Sequence, residues 1–305
     1  MPNSPMSSIC TSRPILIVGL QKSGTSLLLR LLQDTGIAVN PFRGEGDAFW
    51  GNTPPFAPTG FPAGVLYQRH DGEAGHTLGA AEATAEIRAT LRQRLAQTPA
   101  SARPLVNKNP YNTVRVPWLR ALFPQALIVA VARAALPTAY SLTKKHVPHE
   151  GRGREPEEGW WGVKPRRWRE LRDEDTLVQT TRQWEAVTRQ LLDARDDLDR
   201  IVSYPQLCAD PAAVLGDICQ CATGREPPLP LELQPLRCFD DEHRRGSRLQ
   251  SKNRYYHETG TLQTPSSEPI ELPALDGARA ELVERLTADT ERRLRAHVQL
   301  EVAER

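Results

Sequence analysis

Residues 19–26 read Gly-Leu-Gln-Lys-Ser-Gly-Thr-Ser, directly after a short apolar run. A glycine-containing turn that opens a helix makes an anion site, because backbone N–H groups point inward and the helix dipole favours negative charge. Lys22 adds a full positive charge, and the hydroxyls of Thr25 and Ser26 can each donate to a phosphate oxygen. Gln21, Ser23 and Gly24 complete the cradle. In a Walker loop the lysine follows the last glycine and precedes Ser/Thr. Here Lys22 comes before Ser23-Gly24. The chemistry implied is capture of a phosphate-bearing ligand, by a loop of another kind.

Alternating strands and helices must position this turn. Residues 14–19 (PILIVG) form a β-branched run suited to a strand buried on both faces, and 25–33 a leucine-rich helix. Residues 126–132 (ALIVAVA) are the clearest central strand and end at Arg133. Shorter strands are expected at 104–107 and 201–204. Helices are expected over 80–97, on the surface, over 113–122, from 136, over 175–195, and over 276–298. A further helix opens at Asp210-Pro211, an N-cap followed by proline. This alternation predicts an α/β fold, a P-loop-like parallel sheet flanked by helices. Residues 1–13 read as a flexible leader and 14–305 as a single domain, with irregular loops near 40–76 and 147–170.

Composition narrows the function classes. The 305 residues carry a formal net charge of +2, too small to argue for nucleic acid or an anionic membrane. No stretch approaches the roughly 20 apolar residues needed to span a bilayer. The 5 cysteines are odd in number and scattered, which fits a reducing, cytoplasmic setting better than a disulfide framework. Cys219 and Cys221 read as thiols on a helix rather than as half of a metal site.

Several segments, in order along the chain, resemble the sulfotransferases that use 3′-phosphoadenosine-5′-phosphosulfate (PAPS). The 19–26 turn is similar to their 5′-phosphosulfate loop. Arg133 at a strand end, with Ser141 eight residues on, resembles the pair that holds the 3′-phosphate. Leu-Val-Asn-Lys-Asn-Pro, containing Lys108, looks like a segment of the tyrosylprotein sulfotransferases. Val-Ser-Tyr-Pro-Gln-Leu, containing Tyr204, is similar to a Tyr-Glu-Asp-Leu segment, and the tryptophan-rich stretch 159–169 resembles one in bacterial members. Two departures stand out: Ala134-Ala135 replaces the usual Asp/Asn-Pro after the arginine, and Pro110 occupies the place of the cytosolic members' histidine base.

The resemblance implies in-line transfer of a sulfuryl group from PAPS to a hydroxyl or amine, with no metal required. Lys22 and Lys108 would reach the sulfate and the leaving 5′-phosphate. Arg133 and Ser141 would take the 3′-phosphate, joined by Arg244 and Arg245 of the basic run after His243 and, on the phosphosulfate, by Ser247. Glu45, whose Gly-Glu setting matches the tyrosylprotein enzymes, would be the base, with Asp47 in reserve and His70, His76 and His257 behind it. The acceptor would be a small molecule, glycan or lipid, which aromatics such as Trp50, Trp160 and Trp161 would suit. A P-loop kinase-like phosphotransferase and a non-catalytic PAPS-binding protein are the alternatives. The first expects a strand ending in an acidic residue rather than Arg133, and the second has no need of Lys108 and Glu45.

Overall fold

The computed structural model describes residues 12–42, 47–50, 72–98, 101–143, 159–227, 233, 236 and 276–303. Strands β1 (Ile15–Val18), β2 (Val106–Lys108), β3 (Leu127–Ala132) and β4 (Arg200–Ser203) form one sheet, in the order β2-β1-β3-β4. All three pairings are parallel, with Ile17 opposite Lys108, Val18 opposite Ala130, and Ala132 opposite Ser203. The expected α/β parallel sheet is therefore present.

Helices cover both faces because side chains alternate along each strand. Ile15, Ile17, Leu127, Val129 and Val131 share a core with helix α1 (Thr25–Asp34), helix α6 (Tyr204–Ala209) and helix α7 (Pro211–Thr223). Leu16, Val18, Ile128, Ala130 and Ala132 face the other core. That second core is built from α2 (Ala85–Ala96), α3 (Val116–Leu122), α4 (Ala135–Thr143), α5 (Thr176–Asp193) and the C-terminal helix α8 (Gly277–Ala303).

Three boundaries differ from the sequence reading, each through a cap. The expected 80–97 helix is broken: a 3₁₀ turn over Ala80–Glu82 precedes α2, whose N-cap Thr84 accepts from Ile87 N. Nor is α2 purely a surface helix, since Ile87, Leu91 and Arg94 are buried. The expected 113–122 helix is preceded by a 3₁₀ helix, Pro110–Val114, capped by Asn109. Tyr204, taken as the end of β4, instead starts α6, where Ser203 accepts from Gln206 N.

An ionic knot closes the edge of the sheet where the strands begin. Asp199 accepts from Ile128 N (2.8 Å), Arg13 Nη2 (2.5 Å) and Arg120 Nη2 (2.6 Å). Burial pushes this carboxyl up, but the Ile128 amide and the two guanidinium groups outweigh it and hold it below its ordinary value. A lowered native pKa contributes stability that is full above the unfolded value of about 3.9 and lost as pH falls through the native one. Asp199→Asn should therefore cost about 2 kcal/mol at neutral pH. The gap from the parent should shrink towards about pH 3, which denaturant midpoints at the two pH values will check.

Candidate active site

All four strands deliver a candidate residue at their carboxyl ends, the edge where ligands bind in open parallel sheets. β1 runs into the 19–24 turn, β2 ends at Lys108, β3 is followed by Arg133, and β4 by Tyr204. The order β2-β1-β3 reverses direction at β1, so the crevice expected between β1 and β3 falls between the turn and Arg133.

The turn is fixed by its glycines and by one threonine. Gly19 (φ +140°) donates its N–H to Thr113 Oγ1 at 2.8 Å, and a Cβ there would stand 2.4 Å from the Val131 carbonyl. Gly24 (φ +106°) lies against the Tyr204 ring, where a Cβ would meet Cδ2 at 2.6 Å. Lys22 itself sits at φ 74°, rare for a residue with a side chain. Its carbonyl accepts from Arg133 Nη1 at 3.0 Å, and the Arg133 guanidinium lies over the Tyr204 ring at 4.5 Å. The ends of β1, β3 and β4 thus converge on Lys22, Gly24, Arg133 and Tyr204. Tyr204 acts as a platform under both the glycine and the arginine.

The donor set suits a phosphate. Ser23 Oγ is buried and has no hydrogen-bond partner among the described residues. A hydroxyl left so at the centre of an amide-rich turn fits an anion oxygen. Thr25 is buried and Ser26 half-buried at the start of α1. Arg133 and Ser141 are both buried, Ser141 two turns into the helix that follows the arginine. Lys108 ends β2 and is 2 % exposed, so its side chain is packed.

The Gln21 side chain meets residues 162–163. Its Oε1 lies 3.4 Å from Val163 N, and Gly162 packs against its side chain. Gln183 Nε2 on α5 holds the carbonyls of Trp161 and Val163 at 3.0 and 2.9 Å, and Gln179 Nε2 holds that of Gly159. The tryptophan-rich stretch is therefore integral to the fold. Trp160 is buried, meets Trp168 edge-on at 5.5 Å and donates to the Val163 carbonyl. Trp50 is buried too, and donates to Asn107 Oδ1 at 2.8 Å. These two rings are core, not a surface for an acceptor; Trp161 is only half-buried.

His76 is also structural. Its Nδ1 accepts from Lys164 N at 2.7 Å, and its carbonyl accepts from Arg115 Nε at 2.6 Å. Full burial pushes Arg115 down to about 9, despite the opposing Tyr111. Sequence reasoning missed this supporting layer of Thr113, Gln183 and Arg115. Thr113, three residues past Pro110 and 94 positions from Gly19, carried no signal in the sequence. Glu45, His70, Arg244, Arg245, Ser247 and His257 lie outside the described residues, as does the side chain of Asp47. Cys219 and Cys221 lie on α7, one buried and one half-buried beside Arg200. No described helix is long and apolar enough to cross a membrane.

A family model described as the sulfotransferase family matches residues 14–223. No curated protein matches the sequence significantly. Solved structures of similar shape include a sulfotransferase from Alicyclobacillus acidocaldarius, 16 % identical, covering 94 % of this chain and 96 % of that one, TM-score 0.49. Another, from Mycobacterium avium, is 14 % identical and covers 92 % and 76 %, TM-score 0.44.

Proposed function

The chain belongs to the sulfotransferase family, and from that premise we propose that it moves a sulfuryl group from PAPS to a hydroxyl or amine of a small-molecule, glycan or lipid acceptor. The observation that carries this reading is the junction of the turn with the strand ends, where Arg133 closes onto the Lys22 carbonyl above Tyr204. A 3′-phosphate ligand and a 5′-phosphosulfate ligand then stand on adjacent strands of one crevice.

The roles follow from charge and position. Ser23, Gly24, Thr25 and Ser26 hold the 5′-phosphate with their amides and hydroxyls. Arg133 and Ser141 hold the 3′-phosphate, the arginine as a forked donor. Arg244, Arg245 and Ser247 would close over the same ligand, as the resemblance implies. The acceptor's oxygen or nitrogen bonds to sulfur as the bond from sulfur to the 5′-phosphate oxygen breaks, and Glu45 takes the acceptor's proton. Lys22 and Lys108 stabilise charge growing on the bridging oxygen. The wall beside Gln21, made by residues 159–171, would border the acceptor. We place this chemistry in the cytoplasm, where PAPS is the co-substrate and residues 14–305 act as one domain.

Ligand-linked unfolding tests the reading. Adenosine 3′,5′-bisphosphate at about a hundred times its dissociation constant should add roughly 2.7 kcal/mol and raise Tm by several degrees. Mg-ATP should do much less, since the turn lacks Walker geometry. Equal or greater stabilisation by Mg-ATP would favour a phosphotransferase.

A further inference from the structure

Helix α4 starts directly after Arg133, at Ala134-Ala135, and neither alanine has a side chain able to cap it. The helix is met instead from far along the chain. Ala135 N donates to Glu291 Oε1 on α8 at 2.6 Å. On the other side, Trp184 Nε1 of α5 donates to the Arg133 carbonyl at 3.0 Å. The residues next to these two partners bond each other, Thr290 Oγ1 to Glu185 Oε1 at 3.3 Å. The link from β3 to α4 is thus gripped by a clasp made of two helices. Glu291 is mostly buried in it, its second oxygen accepting from Arg295 Nη2 at 3.3 Å.

We infer that Glu291 is a positioning residue for the 3′-phosphate site, doing from a remote helix what an N-cap carboxylate does locally. The inference rests on the reading of Arg133 and Ser141 as ligands of that phosphate. Arg133 precedes α4 and Ser141 lies about 9 Å along it, so the spacing between them depends on where the helix begins. An unmet first N–H lets that turn fray, whereas a carboxylate there satisfies the donor and complements the positive end of the dipole. The clasp has a further consequence. α8 lies beyond residues 14–223, which the family model matches, yet it completes the donor site.

Binding of adenosine 3′,5′-bisphosphate and of AMP to the full chain tests this by calorimetry. Glu291→Ala should weaken the bisphosphate by about five- to tenfold, the worth of a lost cap. AMP, which has no 3′-phosphate, should change by less than about twofold. Glu291→Gln keeps an oxygen for Ala135 N and should bind nearly as the parent does. Adding Ala134→Asp to Glu291→Ala supplies a local cap and should restore most of the loss. A Glu291→Ala protein that binds the bisphosphate as well as the parent, or more tightly, overturns the inference. So does an equal loss of both ligands that Ala134→Asp does not repair. Arg133→Ala, run alongside, separates the two levels. If it spares the bisphosphate, or weakens both ligands equally, the donor reading falls and the inference with it. If it discriminates between them and Glu291→Ala does not, the inference alone falls.

Discussion

Glu45→Gln should lower turnover by about 10²–10⁴ while leaving adenosine 3′,5′-bisphosphate binding unchanged, the usual outcome of removing a general base. The expectation comes from the Gly-Glu resemblance and from Pro110, which excludes a histidine at the place the cytosolic members use. Glu45 lies outside the described residues, and its described neighbours Phe42 and Phe49 border Val106 and Asn107 of β2. The Phe42 and Phe49 rings pack at 4.9 Å, tilted by 46°, and Trp50 donates to Asn107, the neighbour of Lys108. The acidic limb of the pH–rate profile should disappear with the glutamate. Asp47→Asn is the control and should retain most activity. A Glu45→Gln enzyme within about threefold of the parent, or a larger loss in Asp47→Asn, would move the role elsewhere.

Lys108→Met should lower turnover by about 10²–10³, the range seen when one donor to developing charge is removed. Methionine preserves most of the packed stem of a side chain only 2 % exposed, so the fold should be kept while the charge is lost. Because the charge matters most in the transition state, turnover should suffer far more than affinity for adenosine 3′,5′-bisphosphate. Single-turnover rates and calorimetry separate the two. A bare structural lysine would give the opposite pattern, with Tm falling and turnover close to the parent's.

The parts of the site legible in the sequence were those with a local signature. β1, the turn and α1 announce themselves through an apolar run, two glycines and a leucine stripe, and β3 through an unbroken apolar run. Asp210-Pro211 opened α7 as expected, with Asp210 accepting from Ala213 N. The Ser-Tyr-Pro start of α6 also had a signature, a capping serine followed by proline in the first turn. Long-range devices left no such trace. Nothing near Thr113 says that its hydroxyl accepts from Gly19 N, and nothing near Glu291 says that it caps a helix 156 positions away. The tryptophans misled for a related reason. Burial of Trp50 and Trp160 depends on partners, Asn107 and Trp168, that composition cannot pair with them.

If PAPS is the donor, its radiolabelled sulfate must pass to an acceptor. The purified protein would be incubated with PAPS labelled in its sulfate and with extracts supplying acceptors, beside its Lys22→Ala variant. Label should pass to an organic product while adenosine 3′,5′-bisphosphate accumulates in equal amount, and the variant should transfer little. Release of label as free sulfate only, or transfer undiminished in Lys22→Ala, would rule out PAPS-dependent transfer at this site.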